Sequence, residues 1–203
     1  MLGQTFNFSH FLFMDTATDL PIMAYKKRES WECTLLPKGA ELSKGVFRQL
    51  VDWKIRERAQ EEEDLLQIVL GMGPGSYAGI RAGTTIAQAL GFALKIPVHR
   101  MSSLDWLLPD KEGDFTACID AKAGGIYAQK KILLKGKSVS RGEVIHYENT
   151  NSLFDHAEQG TRFVSPVSFR GEQGWQTILY EKKLSILSVF DPREGIFCEK
   201  LSL

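Results

Sequence analysis

This 203-residue sequence has few cysteines, no excess of acidic over basic residues or the reverse, and only short apolar stretches. Its three cysteines, Cys33, Cys118 and Cys198, lie far apart with no CxxC pair, which excludes a disulfide framework and a zinc ribbon. That usage fits a reducing cytoplasm. Basic and acidic residues number 25 each, so formal net charge is zero and no global field draws the chain onto a polyanion. If nucleic acid is bound, a partner is expected to supply most of the grip. The apolar run at 11–14 is short, follows no basic residue and is closed at once by Asp15, which argues against a signal peptide or membrane span. The mature chain is expected to begin near Met1, without membrane association. The histidines His10, His99, His146 and His156 show no H-x-x-x-H or H-E-x-x-H spacing, so a metal site on helix-paired imidazoles is not expected. Each reads as a surface or strand-end residue.

What is present is 43% hydrophobic residues, enough for one ordinary core or two small lobes sharing an interface. Residues 9–37 alternate short β-favouring runs with turn formers such as Asp19 and Pro21, predicting a three-stranded meander. Over 39–60 the period becomes helical: Leu42, Val46, Leu50 and Trp53 make one stripe, and Phe47, Val51 and Ile55 a second beside it. The acidic cluster at 61–64 reads as a solvated connection. "LLQIVLGMG" predicts a strand covered on both faces, and "IPVHRM" another, followed by a short helical "SSLDWLL". A polar, glycine-containing stretch near Pro109–Gly113 places a lobe boundary, dividing the chain into 1–105 and 106–203. Beyond it "FTACIDAK" and "GGIYAQKKILL" predict a hairpin turning at Gly124 and Gly125. A strand at 161–167, a helix around 175–183 and an apolar run at 184–190 complete the reading, and no internal repeat is visible.

The stretch "GMGPGSYAGIRAGTTIAQALGFALKIP", 71–97, passes from a glycine-rich turn into a helix with little polar surface. Strand, glycine turn and helix together can hold a phosphate on backbone N–H groups, with Gly73, Gly75 and Ser76 as its cradle. Against this, no G-x-G-x-x-G, P-loop or G-x-S-x-G spacing is present. A tight turn with Ser76 as helix cap is the competing reading. Within the helix Gly79, Gly83, Ala87 and Gly91 recur every four positions, admitting close approach of another backbone. Two readings stand: the stripe packs on the protein's own sheet, or the two helices join a matching pair from another subunit in a bundle. On the second reading Gly83→Leu or Ala87→Arg weakens association and leaves the monomer folded.

Candidate catalytic groups are few. Asp15 and Asp120, at the ends of strands, suit either a metal or nucleotide phosphate, or capping of the turns that follow. Cys118 reads as a buried small residue with no basic neighbour to activate it. No metal and no cofactor is expected; ATP or ADP is the ligand that the loop and the aspartates leave open.

The segments "MDTAT" at 14–18, "GPGSYAGIRAG" at 73–83 and "IDAKAGGIY" at 119–127 stand in an order that resembles the TsaB (YeaZ) family. That resemblance implies an α/β fold of the actin-like, Hsp70-like ATPase type: two ribonuclease-H-like lobes, the second reduced. It implies a non-catalytic scaffold subunit that stabilises and positions TsaD in the bacterial synthesis of threonylcarbamoyladenosine at adenosine 37 of tRNA. TsaE would join the complex, tRNA would be met only through it, and a homodimer would form when TsaD is absent. By position it puts the interface on Leu42, Val46, Phe47, Leu50, Gly79, Gly83, Ala87 and Gly91, with Arg81 at its edge. An ATP-dependent phosphotransferase using the strand-end aspartates is the alternative from a different class, and a peptidase, lacking a metal pair or Ser-His constellation, stands last.

Overall fold

The computed structural model describes residues 10–27, 30–61, 67–135, 137–166, 175–177 and 199–200. The expected meander forms: strands β1 (His10–Asp15), β2 (Ile22–Lys27) and β3 (Ser30–Leu35) pair antiparallel in sequence order. The expected single helix over 39–60 is divided. A 3-10 turn at Gly39–Glu41 leads into α1 (Leu42–Asp52), and Lys54 in the left-handed region (φ 49°) separates it from α2 (Ile55–Glu61). Most of the acidic connection falls at 62–66, outside the described residues.

Strand β4 (Gln67–Gly71) returns parallel to β1, α3 (Tyr77–Leu94) crosses over, and β5 (Val98–Met101) lies parallel to β4. Helix α3 starts where expected because Ser76 Oγ accepts the Gly79 N–H at 3.2 Å. It stops where Lys95 turns left-handed (φ 56°). The segment 102–108 forms turns where a short helix was expected.

A second sheet follows the same plan. Strands β6 (Gly113–Asp120), β7 (Ile126–Leu134) and β8 (Lys137–Ser140) form a meander, with β9 (Ile145–Tyr147) also pairing to β7. After α4 (Thr150–Asp155), β10 (Phe163–Ser165) lies parallel to β6 and β11 (Trp175–Thr177) parallel to β10. The order β11-β10-β6-β7-β8 repeats β5-β4-β1-β2-β3 position for position. Trp175–Thr177 is thus a strand where a helix was expected, because β10 offers its backbone a ladder; the rest of that helix, the run at 184–190 and Cys198 lie outside the described residues. The lobe division at 105/106 falls between the sheets, but β12 (Glu199–Lys200) pairs antiparallel with β5, so the second segment returns to the first sheet.

The first sheet is covered on both faces by alternating side chains. Leu12, Met14, Ile68 and Leu70 meet Leu42, Val46, Leu50 and Ala87 of α1 and α3. Phe11, Phe13 and Val69 instead meet Phe115, Ala117, Ile119 and Val164 of the second sheet, with Leu104, Trp106 and Leu107 of the connecting segment between them. One apolar core therefore joins the lobes.

Candidate functional site

Two places answer to the functional expectations: the outer surface of the helices, and the strand ends beside the glycine loop. On α1, Leu42, Val46 and Leu50 are buried in the protein's own core, and their stripe faces the sheet. On α3 the small-residue stripe does the same. A Cβ built on Gly79 would lie 2.0 Å from the Thr16 carbonyl oxygen, one on Gly83 2.4 Å from Thr16 Oγ1, and one on Gly91 2.5 Å from a Val98 methyl. Ala87 is fully buried. The interface expected on Leu42, Val46, Leu50, Gly79, Gly83, Ala87 and Gly91 is therefore corrected: those residues let α1 and α3 lie close on their own sheet. Of that set Phe47 and Arg81 are exposed.

The surface that the described residues leave uncovered is the second stripe. Phe47 is 55% exposed and Val51 74%, and on α3 Phe92 is 75% exposed, values unusual for large apolar side chains. Phe47 and Val51 line a groove of about 560 Å³, whose opposite wall is Leu90, Ala93 and Leu94 and whose floor includes Leu50 and Ile55. Arg56, Glu57 and Gln60 edge it. On α1 this stripe is visible in the sequence spacing, whereas Leu90 and Leu94 flank the small-residue line of α3 and carry no periodic signal that separates them from the core.

At the strand ends, Asp15 is wholly buried. Its Oδ1 accepts the Ala17 N–H at 2.9 Å and its Oδ2 the Trp106 indole N–H at 2.6 Å. Burial pushes its carboxyl above the usual aspartate range, opposed by hydrogen bonds from Ser103, Ala17, Trp106 and Thr18. Gly71 has no room for a side chain, since its Cβ would stand 2.2 Å from the Asp15 carboxylate. Asp120, on the other sheet, is partly exposed and accepts the Lys122 N–H at 2.7 Å. Each aspartate bonds the amide two residues on, the geometry of turn capping.

The glycine loop is likewise occupied by its own chain. Gly73 N–H donates to Ser103 Oγ at 2.9 Å, Ser76 N–H donates to the Ala17 carbonyl at 2.7 Å, and a Cβ on Gly75 would meet that same carbonyl at 2.2 Å. Of the two readings for Gly73, Gly75 and Ser76, the geometry favours the tight turn with Ser76 capping α3, since the Gly73 and Ser76 amides hold the neighbouring loops. Trp106 and Ser103, the residues that tie up the site, carry no recognisable motif.

Of the other singled-out groups, Cys118 is buried, and burial pushes its thiol up. His10 is buried at the start of β1, a strand end as expected, and His99 is buried within β5; His146 and His156 are exposed, bonding the Gly124 and Ser152 carbonyls. Among the described residues no group of three His, Cys, Asp or Glu side chains is placed to hold a metal ion, and no helix is long and apolar enough to cross a membrane.

The family described as "TsaD: tRNA N6-adenosine threonylcarbamoyltransferase" matches residues 47–169. The chain is 40% identical over 68 residues to the tRNA threonylcarbamoyladenosine biosynthesis protein TsaB of Bacillus subtilis, a match covering 32% of this chain and 30% of that protein. It is 34% identical over 70 residues to the protein of the same description in Buchnera aphidicola, covering 32% of this chain and 33% of the other. The matched stretch thus spans about a third of these curated relatives. Among solved structures, YeaZ from Pseudomonas aeruginosa superposes with a TM-score of 0.59 at 23% identity, covering 69% of this chain and 68% of that one. A protein described as having similarity to peptidase YeaZ from Pseudomonas aeruginosa gives 0.65 at 18% identity over 95% of this chain and 94% of that one. With the two sheets of repeated plan, these likenesses assign the expected actin-like α/β fold.

Proposed function

The chain belongs to the TsaB (YeaZ) family, matched by the TsaD family description over most of its length, and from that premise we propose that it is a non-catalytic subunit of the machinery making threonylcarbamoyladenosine in tRNA. Its part is to stabilise and position the transferase TsaD, with TsaE joining the assembly and tRNA met only through the complex.

The observation that carries this reading is the groove between α1 and α3, in which the exposed Phe47 and Val51 and the half-buried Leu90 and Leu94 leave apolar surface that the described residues do not cover. Such a surface favours a partner helix laid along it, because burying a Phe or Val side chain is worth on the order of 1.5–3 kcal/mol. In the absence of TsaD a second copy would use the same face. The phosphotransferase alternative loses its main support: Asp15, the residue it needs in solvent, is fully buried against Trp106.

The test is co-purification with TsaD of the same organism, followed by affinity measurement on Val51→Arg and Phe47→Glu. Both variants are expected to bind at least tenfold more weakly with an unchanged melting temperature, since both positions are exposed. Absence of association when both proteins are folded, or wild-type affinity in both variants, would sink the reading. Depletion of the protein in its host is expected to lower threonylcarbamoyladenosine in tRNA nucleoside digests.

A further inference from the structure

The two lobes face each other across the ends of β1 and β6, and the contacts there differ sharply between base and mouth. At the base they are fused. Phe13, Trp106, Phe115 and Val164 share one core, and Lys131 of β7, fully buried, reaches back to Asp105 of the connecting segment at 2.5 Å. At the mouth each loop is tied firmly within its own lobe. On the first side, Thr16 Oγ1 donates to the Gly79 carbonyl at 2.7 Å, and the Ala17 carbonyl accepts from Ser76. On the second, Ala121 N–H donates to the Gly125 carbonyl at 3.1 Å and His146 bonds the Gly124 carbonyl at 3.0 Å.

Across this mouth runs an ion pair from Lys122 Nζ to Asp19 Oδ1. Two features set Lys122 apart. Its backbone is left-handed, with φ 63°, a conformation costing a residue with a side chain on the order of 1 kcal/mol. Glycine would sit there without strain, and the same turn uses glycine at its next positive-φ positions, Gly124 and Gly125. The strained residue is the one whose amine spans the lobes. Second, Lys122 has another carboxylate at hand within its own lobe, Asp120 Oδ2 at 3.7 Å. The amine therefore stands between two carboxylates, one in each lobe, and keeps an ionic contact in its own lobe if it leaves Asp19.

We infer that Lys122 is a latch: paired with Asp19 it holds the mouth of the interlobe cleft shut, and moved to Asp120 it lets the two loops part about the fused base. Because Lys122 is 41% exposed, the latch is weak enough to exchange and is screened by salt.

Hydrogen exchange of the full chain, read by mass spectrometry, tests this. In Lys122→Gln and Asp19→Asn the amides of segments 16–20 and 121–125 are expected to exchange about two- to fivefold faster, with the strands of both sheets unchanged. Raising salt toward 1 M should produce the same local change in the wild type. Lys122→Gly separates a latch from a structural role: it relieves the backbone strain, so thermal stability should hold or rise while the mouth still opens. The charge-swapped double variant Asp19→Lys with Lys122→Asp should restore wild-type exchange. Unchanged exchange in both segments in the three single variants would overturn the latch. So would faster exchange spread over the whole chain, since Lys122 would then hold the fold and not the mouth, and so would a charge swap that fails to restore protection.

Discussion

Asp15 shows how a residue type suited to chemistry is diverted to structure by its neighbours. An aspartate at the end of a strand that lies between an antiparallel and a parallel neighbour has the right placement for a metal or phosphate, but here the Trp106 indole and the Ala17 amide occupy its two oxygens. Burial raises its folded-state pKa above the unfolded value of about 4. The sign follows: the folded state holds the proton more tightly, so Asp15 contributes most stability below about pH 4 and loses that contribution as pH rises through its folded pKa. Asp15→Asn is expected to remove this dependence. Urea titrations from pH 4 to pH 8 should show the stability difference, wild type minus variant, falling with pH; a constant difference would mean the carboxyl titrates alike in both states. Trp106→Phe keeps the ring's packing on Phe13, 6.0 Å away, but strands a buried acceptor, a loss of about 1–3 kcal/mol in the same titrations.

At the scale of the element, α3 separates two faces that the sequence alone ran together. Helical spacing places Gly79, Gly83 and Gly91 on one line, and close approach of a backbone is the correct physical inference from it. The backbone approached is that of residue Thr16 and the side chains those of Leu70 and Val98, all of the same chain. Consequently Gly83→Leu and Ala87→Arg should destabilise the monomer itself, contrary to the expectation that they would spare it. Gly79→Ala is the sharpest case, since its methyl would collide with the Thr16 carbonyl at 2.0 Å. A loss of at least about 1–3 kcal/mol is expected, seen as a melting temperature several degrees lower; unchanged stability would show that loop 16–20 yields easily. Exposed positions of α3, such as Phe92, should tolerate substitution without loss of stability.

For the whole molecule, the governing fact is a core shared by two sheets of the same plan. Phe115 projects from the second sheet into the cluster that also holds Phe11, Phe13 and Val69 of the first. Phe115→Ala should therefore cost about 3–5 kcal/mol and destabilise both lobes together. Denaturation followed by fluorescence of the buried Trp53 and Trp106 and by far-ultraviolet circular dichroism should give coincident transitions in both proteins. Separate transitions would mean that the lobes unfold independently and that the base of the cleft is weaker than its packing implies.

The sequence by itself determined the local elements with strong periodicity: the meander of β1 to β3, the buried run of β4, the Ser76 cap, the hairpin of β6 and β7, and two helices with more apolar surface than one face accounts for. These follow from near-neighbour patterns of period 2 or 3.6, from capping chemistry and from turn residues. It did not show the repeat of one sheet plan in the other, because topology is carried by backbone pairing and not by residue identity. Nor could it show which helix stripe meets the sheet: Val46 and Val51 are equally apolar, and only the docking of α1 buries the first and leaves the second 74% exposed. The pairings of Asp15 with Trp106 and of Asp19 with Lys122 span 91 and 103 residues. Contacts at such separation arise when the chain folds back on itself, so tertiary structure alone decided that one aspartate is buried as a structural pin and the other closes the mouth between the lobes.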